Sequence, residues 1–305
     1  MRRSKFLQML LLYPVFLLVS ASILYPLAWM VYSSLKSDAA IFQDVFALPD
    51  SLFFGNYRTV FVEGGMGIYF RNSLFIAVIS VAGLLLLCAL AAYAFAQIDF
   101  KGKNALYLFI LLGLMIPPQA LIISGFKWIA VLKLVSSHWA LIFTYFGWAS
   151  FGIMVLRSFF QSIPKEIIDA ARIDGAGHWQ MLTKIMLPLA RPSISTIAIF
   201  YFMWVWNDFI YPLVYMQDEA KYTVPLGIMF LNGRYRVQWG LQMAGLAVAT
   251  IPPLLIYIIF QRQFIRGLLA GALKGSLLRR SVRRTPEPAT GSVPLAWRGC
   301  WPCGC

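Results

Sequence analysis

Asp208 is the one clear acid inside an otherwise charge-free apolar run. A charge in such a place costs roughly 2.5–3.5 kcal/mol on membrane-insertion scales and marks a functional position by default. Tyr201, Trp204, Asp208, Tyr211 and Tyr215 recur at spacings of 3, 4, 3 and 4, which places them on one seam of an α-helix. Aromatic faces stack on the C–H faces of a sugar ring, and a carboxylate accepts hydrogen bonds from its hydroxyls. An interfacial aromatic belt packed on a partner, with Asp208 reaching water, fits the same spacing. No nucleophile–base arrangement or carboxylate pair stands out. His138 and His178 fall at opposite membrane faces in the topology derived below, which excludes a shared metal. Cys88 lies in an apolar run as a buried thiol. Cys300, Cys303 and Cys305 crowd the last six residues without the His or second Cys pair of a zinc site. No catalytic, cofactor-binding or metal-ligating residue is assigned.

The second informative stretch is polar, residues 158–191. Ser162 is placed as a helix N-cap, Pro164 suits an early helical position, and Glu166 suits the positive end of the helix dipole. Ile163, Ile167, Ala170, Ala171 and Asp174 then share one helical face. Gly175 and Gly177 break that helix, and a second helix is expected over 178–187, stopping at Pro188. Ala170 and Ala171 are small enough for another protein to approach the backbone. Ile163 and Ile167 offer apolar grip, and Asp169, Arg172 and Asp174 offer charges at the rim. A helix that slots into a partner's groove has this composition; a loop packing on its own membrane domain is the competing reading.

The elements that carry these residues follow from composition. Of 305 residues, 60% are hydrophobic and 12% charged, against 45–50% and about 25% in soluble domains. That excludes an ordinary soluble enzyme and a disordered chain. Crossing a hydrocarbon core takes about 20 apolar residues of helix. Six runs qualify, at about 6–32, 72–97, 104–126, 136–157, 192–216 and 239–261. With the N-terminus inside, 18 of the 26 Lys and Arg fall on cytoplasmic segments; Lys36, Arg58, Arg71, Lys127, Lys133, Lys221, Arg234 and Arg236 are outside. The positive-inside rule therefore puts both termini in the cytoplasm. It also accounts for the net charge of +14 without nucleic acid. Pro117-Pro118 and Pro252-Pro253 remove backbone hydrogen bonds within spans, as hinges, cavity-facing kinks or packing kinks. Residues 36–71 form an outer cap. Residues 276–305, rich in Arg and Pro, are expected to be a disordered tail beyond a membrane domain of 1–275.

Asp169-Ala170-Ala171, then Gly175, then Ile185-Met186-Leu187-Pro188 follow the pattern E-A-A, three residues, G, nine residues, I-x-L-P. This resembles the signature loop of the membrane subunits of bacterial ABC importers, with Asp in place of the usual Glu. Trp206-Asn207-Asp208-Phe209 with Pro212 resembles a segment of the carbohydrate-uptake branch. Gln261-Arg262-Gln263-Phe264 with Gly267, Gly271 and Lys274-Gly275 resembles its C-terminal signature. Residues 1–275 are most like the second permease subunit of maltose-type importers.

The resemblance implies an all-α, polytopic integral membrane protein with six transmembrane helices and the type I importer permease fold. It would sit in the bacterial cytoplasmic (inner) membrane. Glu166, Asp169, Ala170, Ala171, Asp174, Gly175, Ile185, Leu187 and Pro188 would form the ATPase-coupling loop. Tyr201, Trp204, Asn207, Asp208 and Tyr211 are the substrate-path candidates. The implied partners are a second permease subunit, two ATPase subunits, an extracytoplasmic solute-binding protein and the lipid bilayer. ATP and Mg would be bound by the ATPase, because no G-x-x-x-x-G-K-[ST] phosphate cradle occurs here. The implied function is import of a sugar or polyol. The alternatives are an importer of another solute such as glycerol phosphate, an ion-coupled carrier using Asp208, and a membrane-embedded enzyme.

Overall fold

The computed structural model describes residues 2–49, 51–234 and 238–282, and all regular structure among them is helical. The long helices are α1 (Arg2–Ser33), α4 (Met66–Gln97) and α15 (Trp239–Val282). Each contains a stretch long and apolar enough to cross a membrane. Between α1 and α4, α2 (Asp38–Gln43) and α3 (Gly55–Val62) form the cap expected over 36–71. Asn56 holds it together by donating to the carbonyls of Ser34 and Lys36, both at 2.8 Å. Asp38 accepts from Gly240 N–H at 2.8 Å, pinning the cap to the first turn of α15.

Three of the expected spans are interrupted. The run at 104–126 divides into α5 (Lys103–Leu112), a 3₁₀ turn (Pro118–Leu121) and α6 (Ile122–Val131). The end of α5 tightens to i→i−3 bonds at Gly113, Leu114 and Met115. Pro117 and Pro118 then lack the N–H groups that would continue it. The next span divides into α7 (His138–Phe146) and α8 (Ala149–Phe160), bent by 41°. The fifth divides into α12 (Arg191–Asn207) and α13 (Ile210–Tyr215), with Asp208 extended between them. The seam predicted as continuous from Tyr201 to Tyr215 is therefore broken in its middle.

Pro252-Pro253, by contrast, lie inside an unbroken helix. Pro253 leaves the carbonyl of Ala249 without its i+4 donor, and Trp206 Nε1–H from α12 occupies it at 3.1 Å. Helix α15 runs to Val282 rather than ending near 275, because no Gly or Pro stop falls between. The remaining tail, with Cys300, Cys303 and Cys305, lies outside the described residues.

The loop between α8 and α12 holds α9 (Lys165–Ile173) and a second helix built from α10 (His178–Gln180), a π turn (Met181–Met186) and α11 (Leu187–Leu189). That second helix passes through Pro188 instead of stopping there. In the wider π register Leu187 N–H reaches Leu182, which leaves room ahead of the proline ring. It meets α12 at 79°, across the buried Ala190. Ser162 does not cap α9; its hydroxyl turns back to Phe159 at 2.7 Å, and Pro164 occupies the cap.

Two hydrophobic clusters share α4. One gathers its first half with α7, α13, α14 (Val224–Arg234) and the start of α15. The other gathers its second half with α8, the start of α12 and the buried side of the polar loop. Val81, Phe146 and Trp148 pack against both. The α7/α8 bend, flanked by Phe146 and Trp148, lies at the seam between the two clusters.

Candidate functional site

The breaks of three spans converge on one cavity of about 570 Å³. Gly113, Pro118 and Gln119 come from the gap after α5, Gly147, Trp148, Ser150 and Phe151 from the α7/α8 bend, and Trp204, Asn207, Asp208 and Tyr211 from the gap after α12. A cavity of this size is typical of small-molecule sites. Irregular backbone at membrane depth is tolerated where it lines such a space.

Asp208 is fixed from two sides. Tyr145 Oη donates to its Oδ2 at 2.6 Å, and Ile210 N–H, at the start of α13, donates to its Oδ1 at 3.2 Å. Tyr211 is buried, and its hydroxyl donates to the carbonyl of Pro118 at 2.7 Å, tying α13 to the 3₁₀ turn. Asn207 Nδ2 reaches Met203 O at 2.7 Å, which leaves its Oδ1 and second N–H for the cavity. Trp204 is 41% exposed and presents its ring.

Tyr201 departs from the substrate-path expectation. Its side chain is fully buried and absent from the cavity lining. Its hydroxyl accepts from Gly152 N–H at 2.8 Å and donates to Trp148 O at 3.1 Å. An undistorted helix would pair those two backbone groups with each other, and a side chain wedged into that ladder bends a helix. Tyr201 is thus the structural cause of the α7/α8 bend. Gly152 has no Cβ for the same reason: one would lie 2.6 Å from Tyr201 Oη and 2.5 Å from Cys88 Sγ. Gln119, Tyr145, Trp148, Ser150 and Phe151 were missed by sequence reasoning. The punctuation at Pro117-Pro118 and Gly147 was the available signal for the segments that carry most of them.

The polar loop presents a second site. Ile163, Ile168 and Ala171 face inward, in the same cluster as Leu84, Phe160 and Met186. Outward stand Glu166, Ile167, Asp169, Ala170, Asp174 and Gly175, with Ile173 86% exposed. The expected docking face is therefore corrected. Ile163 and Ala171 anchor α9 to its own domain, and Ile173 takes their place on the open side. Arg172 lies 3.9 Å from Asp169 as an exposed i,i+3 pair, which contributes little. Ile185 and Leu187 are half-buried and Pro188 is exposed. Gly175 has φ of 81°. Ala176 N–H reaches Ala171 O and Gly175 N–H reaches Arg172 O, both at 3.0 Å, the two bonds of a Schellman motif that favours glycine at that position. Tyr93 of α4 meets His178 Nδ1 at 2.9 Å and fixes the start of the second loop helix.

Residues 85–270, from mid-α4 into α15, match the family described as binding-protein-dependent transport system inner membrane component. The chain belongs to that family. It is a transport component, and its apolar helices are those of a multi-pass permease. Among its relatives is the diacetylchitobiose uptake system permease protein NgcG of Streptomyces coelicolor, 33% identical over 85% of this chain and 86% of that protein. Another is the trehalose/maltose transport system permease protein MalG of Thermococcus litoralis, 33% identical over 90% of this chain and 99% of that protein. The permease fold is also that of a chain in the crystal structure of a bacterial ABC transporter for the acidic polysaccharide alginate. That match has a TM-score of 0.74 and 24% identity, over 86% of this permease and 98% of that chain.

Proposed function

We propose that the chain is a membrane-spanning permease subunit of an ABC importer that carries a sugar or related polyol inward. ATP and Mg are held by partner ATPase subunits. The observation that carries this reading is the outward face of α9, where Ile167, Ala170 and Ile173 stand exposed between Glu166 and Asp174 while the opposite face is anchored. An exposed apolar stripe on a short, fixed helix suits insertion into a groove of a cytoplasmic ATPase. ATP-driven closure of the ATPase pair would pull α9, and the two shared clusters would carry that displacement to the cavity. The solute class is supported by relatives whose names describe uptake or transport of diacetylchitobiose, trehalose/maltose and arabinooligosaccharides. Trp204, Asn207, Asp208 and Tyr211 are the path residues of this reading.

The complete assembly would hold a second permease subunit, two ATPase subunits and an external solute-binding protein, with both termini of this chain in the cytoplasm. Purified complex in liposomes, supplied with binding protein and ATP, should accumulate a neutral oligosaccharide and hydrolyse ATP faster in its presence. Uptake without ATP, driven by an ion gradient, would overturn the assignment.

A further inference from the structure

The polarity of the cavity at the three breaks bears on which sugars can pass. We propose that this subunit contacts the solute directly there, through Gln119, Ser150 and Asn207, and that the site takes an uncharged glycosyl unit and disfavours an anionic one. The inference rests on the sugar-import reading and narrows it.

Amides and a hydroxyl offer donors and acceptors together, which suits hydroxyl groups that are both. The rings of Trp148, Phe151 and Trp204 supply faces for the C–H side of a pyranose. Ser150 is accessible because Gly113 opposes it; a Cβ there would stand 3.1 Å from its Oγ. Among the described lining residues none is Lys, Arg or His, and the one charged group is Asp208. Asp208 accepts hydrogen bonds from Tyr145 and Ile210 and brings no positive charge to the cavity. A uronate or phosphate entering the cavity would lose water without gaining a cation and would face that carboxylate. A neutral sugar meets neither cost.

Asn207→Cys and Gln119→Cys, each with Cys300, Cys303 and Cys305 changed to Ser, would be assembled into the complete complex in liposomes. The rate of maleimide labelling would then be followed with maltose, trehalose or diacetylchitobiose, and with digalacturonate. A neutral disaccharide that the native complex imports, held at about ten times its dissociation constant, should slow labelling at both positions about tenfold by mass action. Digalacturonate should leave both rates unchanged, and Phe46→Cys on the outer cap should respond to neither. Equal protection by digalacturonate would overturn the charge preference. Import of a neutral sugar with no protection at either position would overturn the site while leaving the importer reading intact. A native complex that imports only anionic sugars would overturn this inference alone, and one that imports no sugar would overturn both it and the solute class it rests on.

Discussion

Single side chains at the breaks of this permease replace backbone hydrogen bonds, so their removal has defined costs. Trp206→Phe keeps a six-membered aromatic ring but strips the donor from Ala249 O, which Pro253 has already deprived of its helical partner. A buried carbonyl left unpaired costs about 1–3 kcal/mol. The variant should melt earlier in detergent, by tryptophan-independent thermal aggregation, without losing its place in the membrane. Gly152→Ala pushes a methyl against Tyr201 Oη and Cys88 Sγ. Overpacking of this kind costs about 1–3 kcal/mol, and the companion change Cys88→Ala should recover part of it in a double-mutant cycle. A Cβ at Gly175 would meet no neighbouring atom; the cost of Gly175→Val, about 1–2 kcal/mol, is conformational, from the positive φ. It should reduce coupled transport while leaving membrane level unchanged, as read by immunoblot beside uptake.

Helix α9 has two faces with opposite consequences. Ile173→Asp alters only the open side. If Ile173 enters an ATPase groove, loss of its burial removes about 1.5–3 kcal/mol, about tenfold or more in docking affinity. Uptake and stimulated ATP hydrolysis should fall together at normal protein level. Ala171→Arg instead drives a charge into the cluster with Leu84 and Phe160 and should deplete the protein itself. Equal behaviour of the two variants would sink the two-faced assignment. The helices themselves were legible because lipid demands long apolar runs, and the loop because its motif spacing is long. The interruptions were less so. Two Pro-Pro pairs look alike locally, yet one follows the end of α5 and the other sits in a continuous α15, where Trp206, 43 residues before Ala249, supplies the missing donor. The break at Asp208 has a local cause, Pro212, which lacks the N–H that would pair with the Asp208 carbonyl, and a distant one that the sequence does not show, a carboxylate held by Tyr145 on another helix. Ala171 and Ile173 could be assigned to faces only once α9 was seated on the domain.

At the scale of the whole chain, the charge asymmetry predicts a measurable orientation. Reporter fusions at Phe53 on the cap should read external, and fusions at Gly102 between α4 and α5 should read cytoplasmic; the reverse at either site would invert the topology. The wedge formed by Tyr201 has a further consequence for biosynthesis. The bend it enforces lies 49 to 53 residues earlier in the chain. At about 5–20 residues per second of synthesis, Gly152 and Trp148 join the chain several seconds before Tyr201 does. During that interval Gly152 N–H and Trp148 O have only each other, and the span can enter the bilayer straight. The bend, and with it one wall of the cavity, is completed only when the fifth span arrives alongside. A ribosome stalled before Tyr201 should therefore hold a fourth span whose Gly147 region is protected from solvent exchange, and one stalled well after it should not.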